Sequence, residues 1–245
     1  MLRFLYVIIV CIGHIIYYVP KMRWYSKHRG KYSELDCYRL AQKMMRIVAR
    51  KARVTTDVYG CENLPSDGGY IMYSNHQGKY DALGIMTGHE RPCKVVMDKR
   101  RSKMPIASPF ISLICGKRLD RADVKQQLRC ICEVGEEVKR GDIYLIFPEG
   151  GYSKHQTNEM GVFHRGCFKA AFLSGMPVVP VAIVDSYKPF GDNSLKKVNT
   201  KVYFLEPIEY EEYKDMSYAE LSREVQRRIK AKIEESLNRV LIDEP

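Results

Sequence analysis

Tyr70-Ile71-Met72-Tyr73-Ser74-Asn75-His76-Gln77-Gly78-Lys79-Tyr80-Asp81 passes from a short apolar run into a polar corner and then, from about Tyr80, into a helical pattern. A brief apolar run bounded by turn residues reads as a buried strand. The same alternation continues on both sides. Upstream lie a strand over residues 54–59 and a turn over 63–69. Downstream come a strand over 93–97, a helix over about 123–139 carrying Val124, Leu128, Ile131 and Val138, and a buried strand over 143–147. A helix over 167–174, a second buried strand over 178–184 and a closing helix over 217–242 follow, the last with Leu221, Val225, Ile229 and Ile233 on one stripe. Strands alternating with helices imply an α/β core. The expected fold is α/β, one domain with a mixed central sheet flanked by helices, together with an N-terminal membrane-associated helical segment. The division expected is an N-terminal segment over residues 1–54 and one domain over 55–245. Residues 191–200 read as an exposed loop.

The apolar content at the N-terminal end is of another kind. Residues 4–19, FLYVIIVCIGHIIYYV, are nearly unbroken apolar sequence. As a helix the run is roughly 24 Å long at about 1.5 Å per residue, short of a ~30 Å hydrocarbon core, so a half-embedded element and a full span in a thinned bilayer both fit. No small-residue cleavage site follows, which disfavours a secretory signal. Lys21, Arg23, Lys27, Arg29 and Lys31 come directly after, and a basic flank belongs on the cytoplasmic side. Trp24 and Tyr25 fit interfacial anchors. Ser33 caps a helix to about residue 54 in which Cys37, Ala41, Met44, Met45, Val48 and Ala52 oppose a basic face. That helix can dock on anionic lipid or pack its Met and Ala stripe on the rest of the chain, and the two are compatible.

With 245 residues the chain can bury a sizeable core, and a formal charge of +11 would draw it to nucleic acid, to an anionic bilayer or to a phosphorylated or acidic partner. The charges cluster beside the apolar segment and no nucleic-acid-binding signature accompanies them, so nucleic acid is not an expected partner. The eight cysteines form no CxxC pair and lie at no zinc-finger spacing, which points to reduced thiols and no metal.

The residues that carry chemistry sit at the ends of strands, where α/β folds place ligands. His76 with Asp81 five positions on is the arrangement a hydroxyl acceptor requires. The imidazole titrates near neutrality and takes the proton, and the carboxylate fixes its tautomer. Alone the pair is a weak signal; its company along the chain strengthens it. Gly116-Lys-Arg-Leu-Asp120-Arg121 follows, then Phe147-Pro-Glu149-Gly150, then Phe163-His-Arg165-Gly166, then Val179-Pro180-Val181. His14, inside the apolar segment, reads as facing the interface rather than a ligand, and His89, His155 and His164 have no carboxylate at a telling spacing.

These blocks, in this order over about residues 58–205, resemble the 1-acylglycerol-3-phosphate acyltransferases of the glycerolipid acyltransferase group. Asn75, His76 and Asp81 match the NHxxxxD block, Gly116, Asp120 and Arg121 the second block, and Phe147, Pro148, Glu149, Gly150 and Ser153 the FPEGTRS block. The resemblance implies an O-acyltransferase that moves an acyl group from acyl-CoA or acyl-carrier protein to the sn-2 hydroxyl of 1-acyl-glycerol-3-phosphate, giving phosphatidic acid. It implies His76 as general base, Asp81 as its orienter, Arg121 on the acceptor phosphate, and Glu149 with Gly150 shaping the acceptor site, without cofactor, metal or acyl-enzyme. Gly151 and Tyr152 stand where the family has Thr and Arg, so Lys154 and Arg165 become candidates to restore positive charge. For the same reason glycerol-3-phosphate or another lysolipid is an alternative acceptor. A catalytically silent lipid-binding protein on the same fold is a third reading, opposed by the intact His76, Asp81 and Glu149.

Overall fold

Three apolar runs, 70–74, 143–146 and 178–184, are buried at every residue, as strands covered by helices on both faces must be. The computed structural model describes residues 2–152 and 157–243. Helices α1 (Leu2–Val10), α2 (Ile12–Lys27) and α3 (Glu34–Lys51) precede β1 (Val54–Tyr59). Then come β2 (Tyr70–Ser74), α4 (Asp81–Gly88), β3 (Lys94–Asp98), α5 (Ala107–Leu113), β4 (Lys117–Leu119), α6 (Val124–Lys139) and β5 (Ile143–Ile146). The chain continues through α7 (Lys169–Ser174), β6 (Val178–Val184), α8 (Lys188–Gly191), β7 (Val198–Phe204), α9 (Tyr210–Tyr213) and α10 (Tyr218–Asp243).

The strands form one seven-stranded mixed sheet in the order β1-β7-β6-β2-β5-β3-β4. Every neighbouring pair is parallel except β6 with β7. Side chains alternate across the sheet as the pleat requires. Tyr70, Met72, Ile143, Leu145, Val179 and Val181 face one layer with Met22 of α2, Cys37, Ala41, Met44 and Met45 of α3, and Ile85 of α4. Ile71, Tyr73, Tyr144, Ile146, Val178 and Ala182 face the other with Val134 of α6, Ala170 of α7, and Leu221, Val225 and Ile229 of α10. The parallel strands β2, β3, β4, β5 and β6 therefore end on one edge, and their C-terminal loops meet there.

Helix α3 starts as its sequence suggests. The Ser33 hydroxyl accepts from Asp36 N–H and the Asp36 carboxylate accepts from Ser33 N–H, a reciprocal cap. Its Cys, Ala and Met stripe is buried in the core, while Arg39, Lys43, Arg46 and Arg50 are exposed. Tyr38 Oη and Gln42 Nε2 both donate to the carbonyls of Met86 and His89, so α3 also satisfies the last carbonyls of α4. The stripe is thus committed to protein, and the opposite, basic face is exposed.

Four expectations need correction. The apolar run 4–19 is not one helix: it breaks at Cys11 into α1 and α2, bent by 73°. The bend lets both inner faces reach the domain, Arg3 and Val7 from α1, Tyr18 and Met22 from α2. Among the described residues no single helix is long and apolar enough to cross a membrane. Val124 and Leu128 do not join the α6 stripe; they are 77% and 50% exposed, because the first turns of α6 lie outside the packed layer. The 191–200 loop is shorter than expected, since β7 begins at Val198 and Thr200 is buried. Tyr25 stacks on Tyr32 at 3.6 Å and packs against the core, leaving only Trp24 exposed.

His89 is buried behind β2. Its Nδ1–H donates to the carbonyl of Arg91 at 2.7 Å, so Nε2 accepts from Tyr70 Oη at 2.6 Å. Burial pushes its pKa down from 6.5 to about 4. The unfolded chain then binds a proton that the folded chain refuses, so this contribution is present above pH 6.5 and is lost as pH falls toward 4. The loss amounts to about 3 kcal/mol. Urea denaturation of His89→Gln between pH 7 and 4 should show that share of the pH dependence removed; an unchanged slope would assign the acid sensitivity elsewhere.

Candidate active site

The corner after β2 is built by hydrogen bonds to its own backbone and to β6. Asn75 Nδ2 donates to the carbonyl of Ile183 at 3.0 Å and its Oδ1 accepts from Ile183 N–H at 2.8 Å, locking the end of β2 to β6. The chain then turns into α4, and Asp81, the first residue of that helix, points back into the corner. Its Oδ2 accepts from His76 Nδ1 at 2.6 Å, Gln77 N–H at 2.6 Å and Gly78 N–H at 2.8 Å. Its Oδ1 accepts from Ser186 Oγ at 2.6 Å. A fully buried carboxylate with four donors is satisfied as an anion. Because that carboxylate accepts only, His76 carries its proton on Nδ1 and leaves Nε2 with a lone pair.

The imidazole is held on its faces and edge as well. The ring of Phe147, just past β5, stacks on it at 4.3 Å, and the ring of Tyr152 meets it at 4.9 Å and 88°. Its side chain remains 17% exposed, against none for Asp81, so a partly open imidazole stands over a sealed carboxylate.

Glu149 is a clamp between loops. Its Oε1 accepts from the His76 backbone N–H and its Oε2 from the Gly161 N–H, each at 2.9 Å. Burial pushes its carboxyl up from the ordinary range, opposed by those two N–H donors. Gly150 takes a positive φ of 67° beside His164, a turn that suits glycine.

The second block converges on the same place. Arg121 Nε pairs with Asp98 Oδ2 at 3.2 Å and its side chain is 53% exposed, so its fork is partly open to a ligand. A Cβ added at Gly151 would lie 3.3 Å from Arg121 Nη2, so the guanidinium packs directly on this backbone and a β-branched residue would press on it. Asp120, by contrast, pairs with Lys99 at 2.9 Å and acts locally.

Some of the site was not legible from motifs. Ser186, two residues past β6, supplies a donor to Asp81, and its N–H donates to Gln77 Oε1 at 2.8 Å. Arg101 lies over the Tyr152 ring, Cζ 4.7 Å from its centre, and so places a guanidinium on the same ring that meets His76. Arg165 opens the short helical turn Arg165–Phe168 and is exposed, with no side-chain hydrogen bond or ion pair among the described residues. Lys154 and Ser153 lie outside the described residues. Among the described residues no group of three His, Cys, Asp or Glu side chains could hold a metal ion.

The family model described as Acyltransferase matches residues 55–184, which contain His76, Asp81, Arg121 and Glu149. The chain belongs to the acyltransferase family. Within it, the chain is 31% identical over 157 residues to a chloroplastic 1-acyl-sn-glycerol-3-phosphate acyltransferase, BAT2, of Brassica napus, covering 62% of this chain and 45% of the relative. It is 30% identical over 145 residues to the 1-acyl-sn-glycerol-3-phosphate acyltransferase of Pseudomonas aeruginosa, covering 59% of this chain and 54% of that one. The chain spans about half the length of these curated relatives. The fold of this acyltransferase-family chain is that of the crystal structure of the 1-acyl-sn-glycerophosphate acyltransferase PlsC from Thermotoga maritima: TM-score 0.76, 22% identity, covering 96% and 95% of the two chains.

Proposed function

We propose that this chain transfers an acyl group from a thioester, acyl-CoA or acyl-carrier protein, to the sn-2 hydroxyl of 1-acyl-glycerol-3-phosphate, giving phosphatidic acid. The observation that carries the reading is the 2.6 Å bond from His76 Nδ1 to buried Asp81, which leaves Nε2 without a hydrogen-bond partner among the described residues. In the reaction Nε2 takes the hydroxyl proton as the oxygen attacks the thioester carbonyl carbon, while Asp81 steadies the imidazolium. The tetrahedral intermediate then expels the thiolate, which takes the proton back from His76. The thioester already carries a good leaving group, so no acyl-enzyme, cofactor or metal enters this scheme.

Arg121 and Arg101 are the cations proposed to hold the acceptor phosphate. Arg101 reaches the site over Tyr152, the residue standing where the family has arginine. Arg101→Gln is expected to lower kcat/KM for lysophosphatidate about tenfold, one charge-assisted contact, and to leave a monoacylglycerol acceptor within about twofold. The assay is an acceptor panel with both thioester donors. Equal losses on both acceptors would remove Arg101 from phosphate recognition, and a strong preference for the phosphate-free acceptor would overturn the substrate while leaving the chemistry of His76 standing.

The proposed location is a membrane surface, with catalysis on the cytoplasmic side. Leu2, Leu5 and Ile9 of α1 and Ile12, Ile16, Tyr17 and Trp24 of α2 are exposed, an apolar face suited to lipid. The basic faces of α2 and α3 suit anionic headgroups.

A further inference from the structure

An arginine on a helix otherwise apolar throughout asks for an explanation. In α1, Leu2, Leu5 and Ile9 face outward while Arg3 and Val7 face the domain, and Arg3 is only 1% exposed. Among the described residues no carboxylate is hydrogen-bonded to it, and the Asp192 charge only partly opposes the cost of its burial. Its Nη1 donates to the carbonyls of Lys188 and Pro189 at 3.3 and 3.0 Å, its Nη2 donates to the carbonyl of Lys196, and its Nε has no partner among the described residues. Burying a charge for three carbonyls while leaving a donor unsatisfied is costly.

What the guanidinium gathers is the segment that leads to the catalytic pair. Residues 188–196 begin two residues after Ser186, whose hydroxyl donates to Asp81 and whose N–H donates to Gln77. Other α1 contacts reach the same places. Leu2 N–H donates to Asn193 Oδ1 at 3.1 Å, and the Phe4 ring meets Phe190 at 5.7 Å. On its other side Phe4 lies under the Lys79 ammonium, 4.5 Å away, inside the corner that carries His76 and Asp81. The first helix therefore holds the His76–Asp81 corner from two directions.

We propose that Arg3 is a positioning residue: by fixing the 188–196 segment it keeps Ser186 on Asp81, and so ties the seating of α1 to the geometry of the His76–Asp81 pair. The proposal rests on the reading of His76 as the base. Since the outer face of α1 is the one offered to lipid, the helix that meets the surface is the helix that steadies the base.

The test compares Arg3→Gln, Ser186→Ala and the double variant, each as the whole chain in detergent or vesicles. Ser186→Ala removes one donor from Asp81, so the carboxylate holds the imidazolium more strongly and the acidic limb of the kcat profile moves up by about 0.5 to 1 pH unit. Arg3→Gln is expected to reproduce that shift with kcat about tenfold lower and both KM values within about twofold, and the double variant to be no worse than the more damaged single one. Hydrogen exchange should quicken at residues 185–191 but not in β2 or β5. If Arg3→Gln folds poorly, Arg3→Lys, which keeps charge and length without the fork, is expected to show the same shift in smaller degree. A shift in Ser186→Ala with none in either Arg3 variant, or fully additive losses, overturns the proposal. No shift in Ser186→Ala, or undiminished turnover in a His76 variant, overturns the reading of the pair on which it rests.

Discussion

His76→Ala is expected to lower kcat for acyl transfer about a thousandfold, the loss that follows when the proposed general base is removed from a reaction whose nucleophile is an unactivated hydroxyl. The fold should survive the change, because the bonds that shape the corner do not depend on the imidazole. Glu149 accepts from the backbone N–H of residue 76, and Asp81 still accepts from Gln77 and Gly78 N–H and from Ser186. Alanine forfeits the stacking on Phe147, so the melting temperature should fall by only a few degrees. The measurement is steady-state turnover with acyl-CoA and lysophosphatidate beside a thermal melt of the same sample. Turnover within threefold of the parent in a folded variant would take His76 out of the chemistry. KM values should change little, since the imidazole serves the transition state more than the bound substrates.

What the sequence disclosed and what it hid follow from the same physics. Strands β2, β5 and β6 are legible almost to the residue because burial on both faces makes every position apolar. Strand β7 escaped notice because Val198-Asn-Thr-Lys-Val-Tyr-Phe204 mixes polar residues into its alternation: Thr200 is buried but bonds to Thr56 Oγ1 and to the Thr55 carbonyl. Strand β4 is three residues long, two of them basic. The break between α1 and α2 is invisible in an apolar run, which records that a segment avoids water but not where packing turns it. In the site, His76, Asp81 and Glu149 stand out by spacing and by the resemblance. Ser186 does not, because it meets Asp81 across 105 residues and only the ordering of β6 beside β2 places it there. Arg101 was hidden for a related reason: its approach depends on where the loop after β3 lies against the residues after β5, which no local pattern encodes.

Asp81→Asn should separate the role of charge from that of shape. Asparagine can turn its oxygen toward His76 Nδ1 and the N–H groups of Gln77 and Gly78, and its amide toward Ser186 Oγ, which can accept as readily as it donates. The corner is kept and the negative charge is lost. Without that charge the imidazolium formed on proton transfer is destabilised, so kcat is expected to fall by about 10² to 10³ and the acidic limb of its pH profile to move down. Asp81→Ala behaves differently. Three N–H donors, one of them in a fully buried neighbourhood around a residue of zero exposure, lose their acceptor at once, each at about 1–3 kcal/mol. The alanine variant should therefore lose several kcal/mol of stability along with its activity. Urea denaturation and turnover on the two variants form the comparison, with asparagine inactive but stable and alanine inactive and unstable. An asparagine variant within threefold of parental kcat would mean that the carboxylate only shapes the corner, and the base would then have to work without a charged partner.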